Sequence, residues 1–152
     1  MSIIDLVNVR QLESTDINFI LSSSIKCLQA YSKKLYPAHD VRPLYEHLEK
    51  VILSAMHHPS YSILIACNKD DSEQIIGYLM TNPQTNHIYL QYTKYAYRKL
   101  GVQSHILMPL LLNEGRPITV EWATKEMIRL KNENRLTVNS QYIEQLIEER
   151  FK

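Results

Sequence analysis

The stretch from Asn86 to Leu112, NHIYLQYTKYAYRKLGVQSHILMPLLL, constrains this chain more than any other. It opens with a β pattern rich in Ile, Tyr, Leu and Thr, turns at Arg98-Lys99-Leu100-Gly101, and continues as an apolar helical run. A strand that feeds a helix through a Gly turn creates an anion site, because the first N–H groups of a helix have no partner within it and the helix dipole places positive charge there. The plainer reading is a strand–helix turn that binds nothing, with Gly101 serving only as a residue of positive φ.

The remaining elements can be placed by periodicity and by turn chemistry. Ile3 to Leu12 alternates loosely as a first strand, and Ser14-Thr15-Asp16 starts a helix with Asp16 in the first turn. Ile17, Ile20, Leu21, Ile25 and Leu28 carry that helix to about Tyr31. A loop containing Pro37 follows, and Pro43 then suits the first turn of a second helix with Leu44, Leu48, Val51, Ile52 and Ala55 on its apolar face. Tyr61 to Cys67 is a nearly continuous apolar strand, and Gln74 to Thr81 is the next. Beyond Leu112, Gly115 and Pro117 close the site helix, Ile118 to Trp122 forms a strand, Thr124 caps a helix to about Asn134, and Leu136 to Val138 forms a brief strand. Ser140 caps a last amphipathic helix whose stripe is Ile143, Leu146, Ile147 and Phe151. This divides the chain into a domain over 1–139 and a terminal helix over 140–152.

Composition excludes several classes. The 152 residues suit one domain with a real core, and a net charge of +1 gives no electrostatic case for nucleic acid or a membrane surface. No apolar run approaches the ~20 residues of a membrane helix. Cys27 and Cys67 read as reduced thiols of a cytoplasmic protein, and the first residues, MSIIDLVNVR, lack the order of a signal peptide.

Arg98-x-x-Gly101-x-Gln103 resembles the pyrophosphate loop of the GNAT acyltransferases, Gln/Arg-x-x-Gly-x-Gly/Ala, and Tyr92-Thr93-Lys94-Tyr95 resembles the end of that family's central strand. Val9-Arg10 with Glu13 and Asp16-Ile17, the Ile75-Ile76-Gly77-Tyr78 strand and the Thr119–Thr124 strand are similar too, over roughly residues 3 to 125. The wording is closest to small GNAT-like proteins encoded by bacteriophages, which would place the protein in a host cytoplasm. The resemblance implies an α/β (α+β) fold with a mixed, mostly antiparallel sheet flanked by helices, here with an extra C-terminal helix. It also implies acetyl-CoA as substrate. The N–H groups of Lys99 through Gln103 and of Ser104 would face the pyrophosphate, Arg98 or Lys99 would add charge, and the strand end from Tyr92 through Thr93 to Lys94 would pair with the pantetheine amides as an added strand does. Three departures stand out. Gln103 occupies a position where the family has Gly or Ala, and is expected to lean over the site or narrow it. Tyr95 replaces a usual Pro, and the tail is a helix where the family commonly ends in two strands.

Acetyl transfer needs a base for the amine and an acid for the leaving thiolate. His87 and Glu121 are the candidate bases, although spacing singles out neither and each reads more readily as a plain surface or rim residue. The region 124–134 holds no Tyr, which leaves the acid unassigned. His57-His58 with His39 or His47 has the wrong spacing for a metal on one helix face. These readings imply an acetyl-CoA-dependent N-acetyltransferase of unidentified amine acceptor. A different class is also open: a GNAT-fold protein without catalysis, serving as a binding or assembly module, with the terminal helix joining a protein partner or a second copy. A nucleobase-modifying enzyme is a third idea, against which the neutral charge counts.

Overall fold

The computed structural model describes residues 2–31, 42–58, 60–113, 118–121 and 137–138. One six-stranded sheet runs in chain order, from β1 (Val7–Gln11) through β2 (Ser62–Asn68), β3 (Asp71–Asn82), β4 (His87–Thr93) and β5 (Thr119–Val120) to β6 (Thr137–Val138). The pairs from β1 to β4 are antiparallel, whereas β4 with β5 and β5 with β6 are parallel. Two helices, α1 (Ile17–Tyr31) and α2 (Arg42–Met56), join β1 to β2.

Alternation along the strands gives the sheet two different faces. Under α1 and α2 lie Ile63, Ile65, Cys67, Tyr78, Met80, Tyr89 and Leu90, packed on Ile20, Leu21, Leu28, Leu44, Leu48 and Ile52. The other face carries Leu64, Ala66, Ile76, Leu79, Ile88 and Val120, covered by Val102 and Leu107. Tyr89 and Leu90 share one face because the β3–β4 register slips between Met80 and Thr81, so that Met80 opposes Leu90 and Thr81 opposes Ile88.

The entry to α1 is fixed by charge. Arg10 on β1 grips Asp16 with two bonds, Nη1 to Oδ2 at 2.7 Å and Nη2 to Oδ1 at 2.8 Å, and the Glu13 N–H donates to Asp16 Oδ2 at 2.8 Å. Burial raises the Asp16 carboxyl, but the Arg10 and Glu13 hydrogen bonds outweigh it and hold the group below its usual range. Inside the helix packing, the Tyr78 hydroxyl shares hydrogen bonds with Ser23 and Ser24, both at 2.7 Å, which satisfies three buried hydroxyls at once.

Several elements differ from the sequence expectation. The first strand is shorter, since Ile3–Asp5 is a 3₁₀ turn. β3 begins at Asp71, so its hairpin with β2 turns on Lys69 and Asp70. The expected regular helix after Gly101 is a π-helix over Val102–Leu107 that passes into one α-turn, Met108–Leu111. Pro109 accounts for this: it has no N–H, and its ring would meet the carbonyl four residues back, which a wider turn relieves. The loop around Pro37, the close at Gly115, Trp122, and the helices expected over 124–134 and 140–151 lie outside the described residues.

Candidate active site

The turn after β4 sets up the anion-binding end. A 3₁₀ turn, Tyr95–Tyr97, is followed by Lys99 at φ 66° and Gly101 at φ 92°. A side chain at Gly101 would also meet His105, whose Cδ2 lies 2.3 Å from where a Cβ would stand. The helical ladder begins with the His105 N–H bonding Gly101 O at 2.9 Å, so the N–H groups of Val102, Gln103 and Ser104 lie ahead of it. A left-handed pair followed by such N–H groups is the donor set that a pyrophosphate needs, and the residues present fit that group.

Gln103 does not stand over this cradle. Its side chain is buried and turned into the sheet, where the two N–H groups of Nε2 face Tyr92 O at 2.8 Å and Tyr78 O at 3.0 Å, with Thr93 Oγ1 sharing a donor at 3.3 Å. Gly77 makes room for this helix–sheet contact: a Cβ there would lie 2.6 Å from Tyr92 O and 3.5 Å from Val102 Cγ1. The expectation that Gln103 leans over the site is therefore corrected. The position is small on the cradle side because the side chain leaves in the opposite direction.

Other residues expected at the cofactor are partly engaged within the chain. The Tyr92 ring stacks on Tyr78 at 5.3 Å and meets Phe19 edge-on at 5.8 Å, so it belongs to the α1 face. Arg98 turns back, with Nε donating to Thr93 O at 2.8 Å and its guanidinium 5.6 Å from the Tyr95 ring centre. Burial pushes the nearby Cys27 thiol up, and the Arg98 charge draws it partly back. Tyr92 stands opposite Tyr78 in the β3–β4 ladder, and its carbonyl also accepts from Gln103, whereas Thr93 O accepts from Arg98. Lys99 and Ser104 are exposed.

His87 and Glu121, distant in sequence, come together at the other end of β4. The parallel pairing of β4 with β5 spans His87 to Thr119 and Ile88 to Val120, and the Glu121 N–H continues it to Ile88 O at 2.9 Å. This places both side chains on the α2 face. His87 Nδ1 lies 2.6 Å from Thr119 Oγ1, and Nε2 lies 3.2 Å from Glu121 Oε2. An ionised carboxylate can only accept, so Nε2 is assigned the proton and Nδ1 accepts from the Thr119 hydroxyl. Both imidazole nitrogens are then occupied, and the proton-accepting group of the pair is the Glu121 carboxylate.

This pair floors a cleft of about 520 Å³, whose walls include His47, His58, Tyr61 and Tyr89. Tyr89 Oη lies 3.4 Å from His47 Nε2. Burial lowers the His47 pKa, the Glu121 charge opposes that, and Lys50 adds to it. Burial likewise raises the Tyr89 hydroxyl and keeps it protonated. Sequence reasoning missed this wall. The available signal was the polar stripe on α2, where His47, Lys50, Ser54 and His58 recur at three or four residues beside the apolar face. Among the described residues, no three His, Cys, Asp or Glu side chains could hold a metal ion, and no helix is long and apolar enough to cross a membrane.

No family model matches the sequence, and no curated protein matches it. Solved structures do. A possible acetyltransferase from Clostridium difficile 630 aligns at a TM-score of 0.54 and 13% identity, over 85% of this chain and 87% of that one. The PaiA N-acetyltransferase from Thermoplasma acidophilum, solved in complex with coenzyme A, aligns at 0.50 and 15% identity, over 85% of this chain and 74% of that one. The fold is that of the GNAT acetyltransferases. At this identity the likeness is one of fold, and the chemistry has to be argued from the residues.

Proposed function

We propose that the protein transfers an acetyl group from acetyl-CoA to a primary amine. The observation that carries this reading is the His87–Glu121 pair at the end of the β4–β5 pairing, buried on one face of the sheet while the Gly101 cradle opens beyond the other end of the same strand. The N–H groups of Val102, Gln103 and Ser104 would hold the pyrophosphate, with Lys99 adding charge, and Tyr92 O and Thr93 O would take the pantetheine amides. Acetyl-CoA supplies the thioester. Glu121 accepts the ammonium proton, with His87 and Thr119 fixing its orientation. The neutral amine nitrogen then bonds to the thioester carbon, the C–S bond breaks, and the proton shed by the nitrogen is taken up by the leaving thiolate, giving the amide and the free thiol.

The alternative of a fold without catalysis drew support from Gln103 as an obstruction, and the inward pose of that side chain removes this support. The terminal stretch 140–152 keeps its reading as a docking helix for a partner or a second copy, and truncation after Asn139 with light scattering tests it. Thermal unfolding with coenzyme A tests the main reading. A ligand at 100 times its Kd adds about 2.7 kcal/mol, so a clear rise in Tm is expected. An unchanged Tm at millimolar coenzyme A would sink the proposal.

A further inference from the structure

The cleft on the α2 face also carries information about the amine. We infer that it takes a compact monoamine with a flat, aromatic body, and that it rejects polyamines. This rests on reading the fold as an acetyl-transfer site.

Three features support the assignment. The first is the wall. His58, Tyr61, Tyr89 and His87 form a continuous edge-to-face chain, with ring centres 5.8 Å, 6.4 Å and 6.5 Å apart and interplanar angles of 71°, 88° and 75°. Rings arranged in this way present alternating faces and edges to a flat guest, which prefers such offset or perpendicular contacts. An ammonium close to a Tyr face gains a cation–π contribution as well.

The second is charge. Among the described residues, the floor carries the Glu121 carboxylate, which is only 7% exposed. Its ring neighbour His47 is held toward the neutral form by burial. Among the described residues, the formal cation lining the cleft is Lys50, exposed on α2. One ammonium is therefore matched at the floor, whereas a second cationic centre further along a polyamine would meet the like charge of Lys50. Like charges brought together in this way select against the wrong ligand.

The third is size. A cleft of about 520 Å³ lies within the usual range for a whole small molecule. It gives room for a ring and a short alkyl arm.

Calorimetric titration of the full chain with 2-phenylethylamine and with spermidine, each with and without coenzyme A, tests the inference. The expected result is that 2-phenylethylamine binds at least tenfold more tightly than spermidine, that Tyr61→Leu weakens it about tenfold, and that Tyr61→Phe retains it. Circular dichroism of both variants checks that they are folded. Spermidine binding as tightly as 2-phenylethylamine, or a folded Tyr61→Leu variant of unchanged affinity, would overturn it. The coenzyme titration separates the two readings. If coenzyme A binds and 2-phenylethylamine does not, the amine assignment fails alone. If 2-phenylethylamine binds and coenzyme A does not, the transfer reading fails while the cleft stands as an amine site. If neither binds, both fail.

Discussion

The two faces of the sheet are built from different materials. The face under α1 and α2 buries hydroxyls, imidazoles and a carboxylate among its hydrocarbons, in the Tyr78–Ser23–Ser24 cluster and in the His87–Glu121 cleft. The face under the π-helix is aliphatic, from Val7 and Leu64 to Leu107 and Val120, with Gln103 the polar side chain buried beside it. A polar group in a low-dielectric interior is costly without a partner and strong with one. The first face is therefore suited to moving protons. The second is suited to holding a helix and its N-terminal amides in a fixed place. One strand, β4, serves both, with His87 at its start on one side and Thr93 at its end beside the cradle.

If proton transfer belongs to the first face alone, Glu121→Gln is the sharpest way to show it. The amide keeps the shape and can still accept from His87 Nε2, but it cannot take a proton from the amine. Activity is expected to fall by about 10²- to 10⁴-fold, the usual worth of a general base. The coenzyme A thermal shift should be unchanged. An equal loss of coenzyme binding would mean that the division between the faces is false.

Gly77→Ala attacks the contact between helix and sheet. The added methyl would stand 2.6 Å from the Tyr92 carbonyl, which is backbone and cannot swing away. Forced overpacking of this kind costs about 1–3 kcal/mol, readable as a lower urea midpoint. Because β4 must shift, coenzyme binding should weaken as well. A variant as stable as the parent would show that the two strands part more easily than this packing implies.

How much of this was legible in the sequence differs between the same two regions. The bounds of α1 were readable because Ile17, Ile20, Leu21, Ile25 and Leu28 keep one helical face, and β2 was readable because burial on both faces leaves an unbroken apolar run. The Gly101 turn was readable because few residues tolerate positive φ. The cleft was not readable, since α2 and Tyr61 reach His87 and Glu121 only through the tertiary packing. The π-helix was hidden for a similar reason. Pro109 signals a break, but whether the chain kinks or widens depends on what Val102 and Leu107 must cover. The direction of Gln103 depends on where Tyr78 and Tyr92 stand opposite each other, a register that no local pattern fixes.

Gln103 offers a smaller test of the second face. Gln103→Gly removes the side-chain bonds from the helix to Tyr78 O and Tyr92 O, each worth about 0.5–1.5 kcal/mol. Stability should drop, and coenzyme A should bind more weakly because the helix start is less well placed. Gln103→Leu restores the volume without the donor, so it should recover only part of the loss. Tighter coenzyme binding by the Gly variant would return the side chain to the role of an obstruction over the cradle.

The smallest effect expected is on the first face, in the pH dependence of His47. Its folded pKa lies below the ordinary 6.5 because burial disfavours the charged ring, with Glu121 opposing and Lys50 assisting. The folded state therefore binds fewer protons than the unfolded chain just below that pH, and stability should fall as the pH drops through about 6.5 toward the depressed value. Tyr89, whose hydroxyl faces His47, stays protonated throughout and contributes no slope. His47 is only partly buried, so water screens much of the difference. A Tm change of about 2 °C between pH 7.5 and 5.5 is the scale to look for. The informative quantity is the difference between the parent and His47→Gln. If the cleft is as enclosed as its rings suggest, the variant loses part of the slope. If the two curves run parallel, His47 is as well solvated in the folded protein as in the unfolded chain, and the cleft wall it forms is open to water.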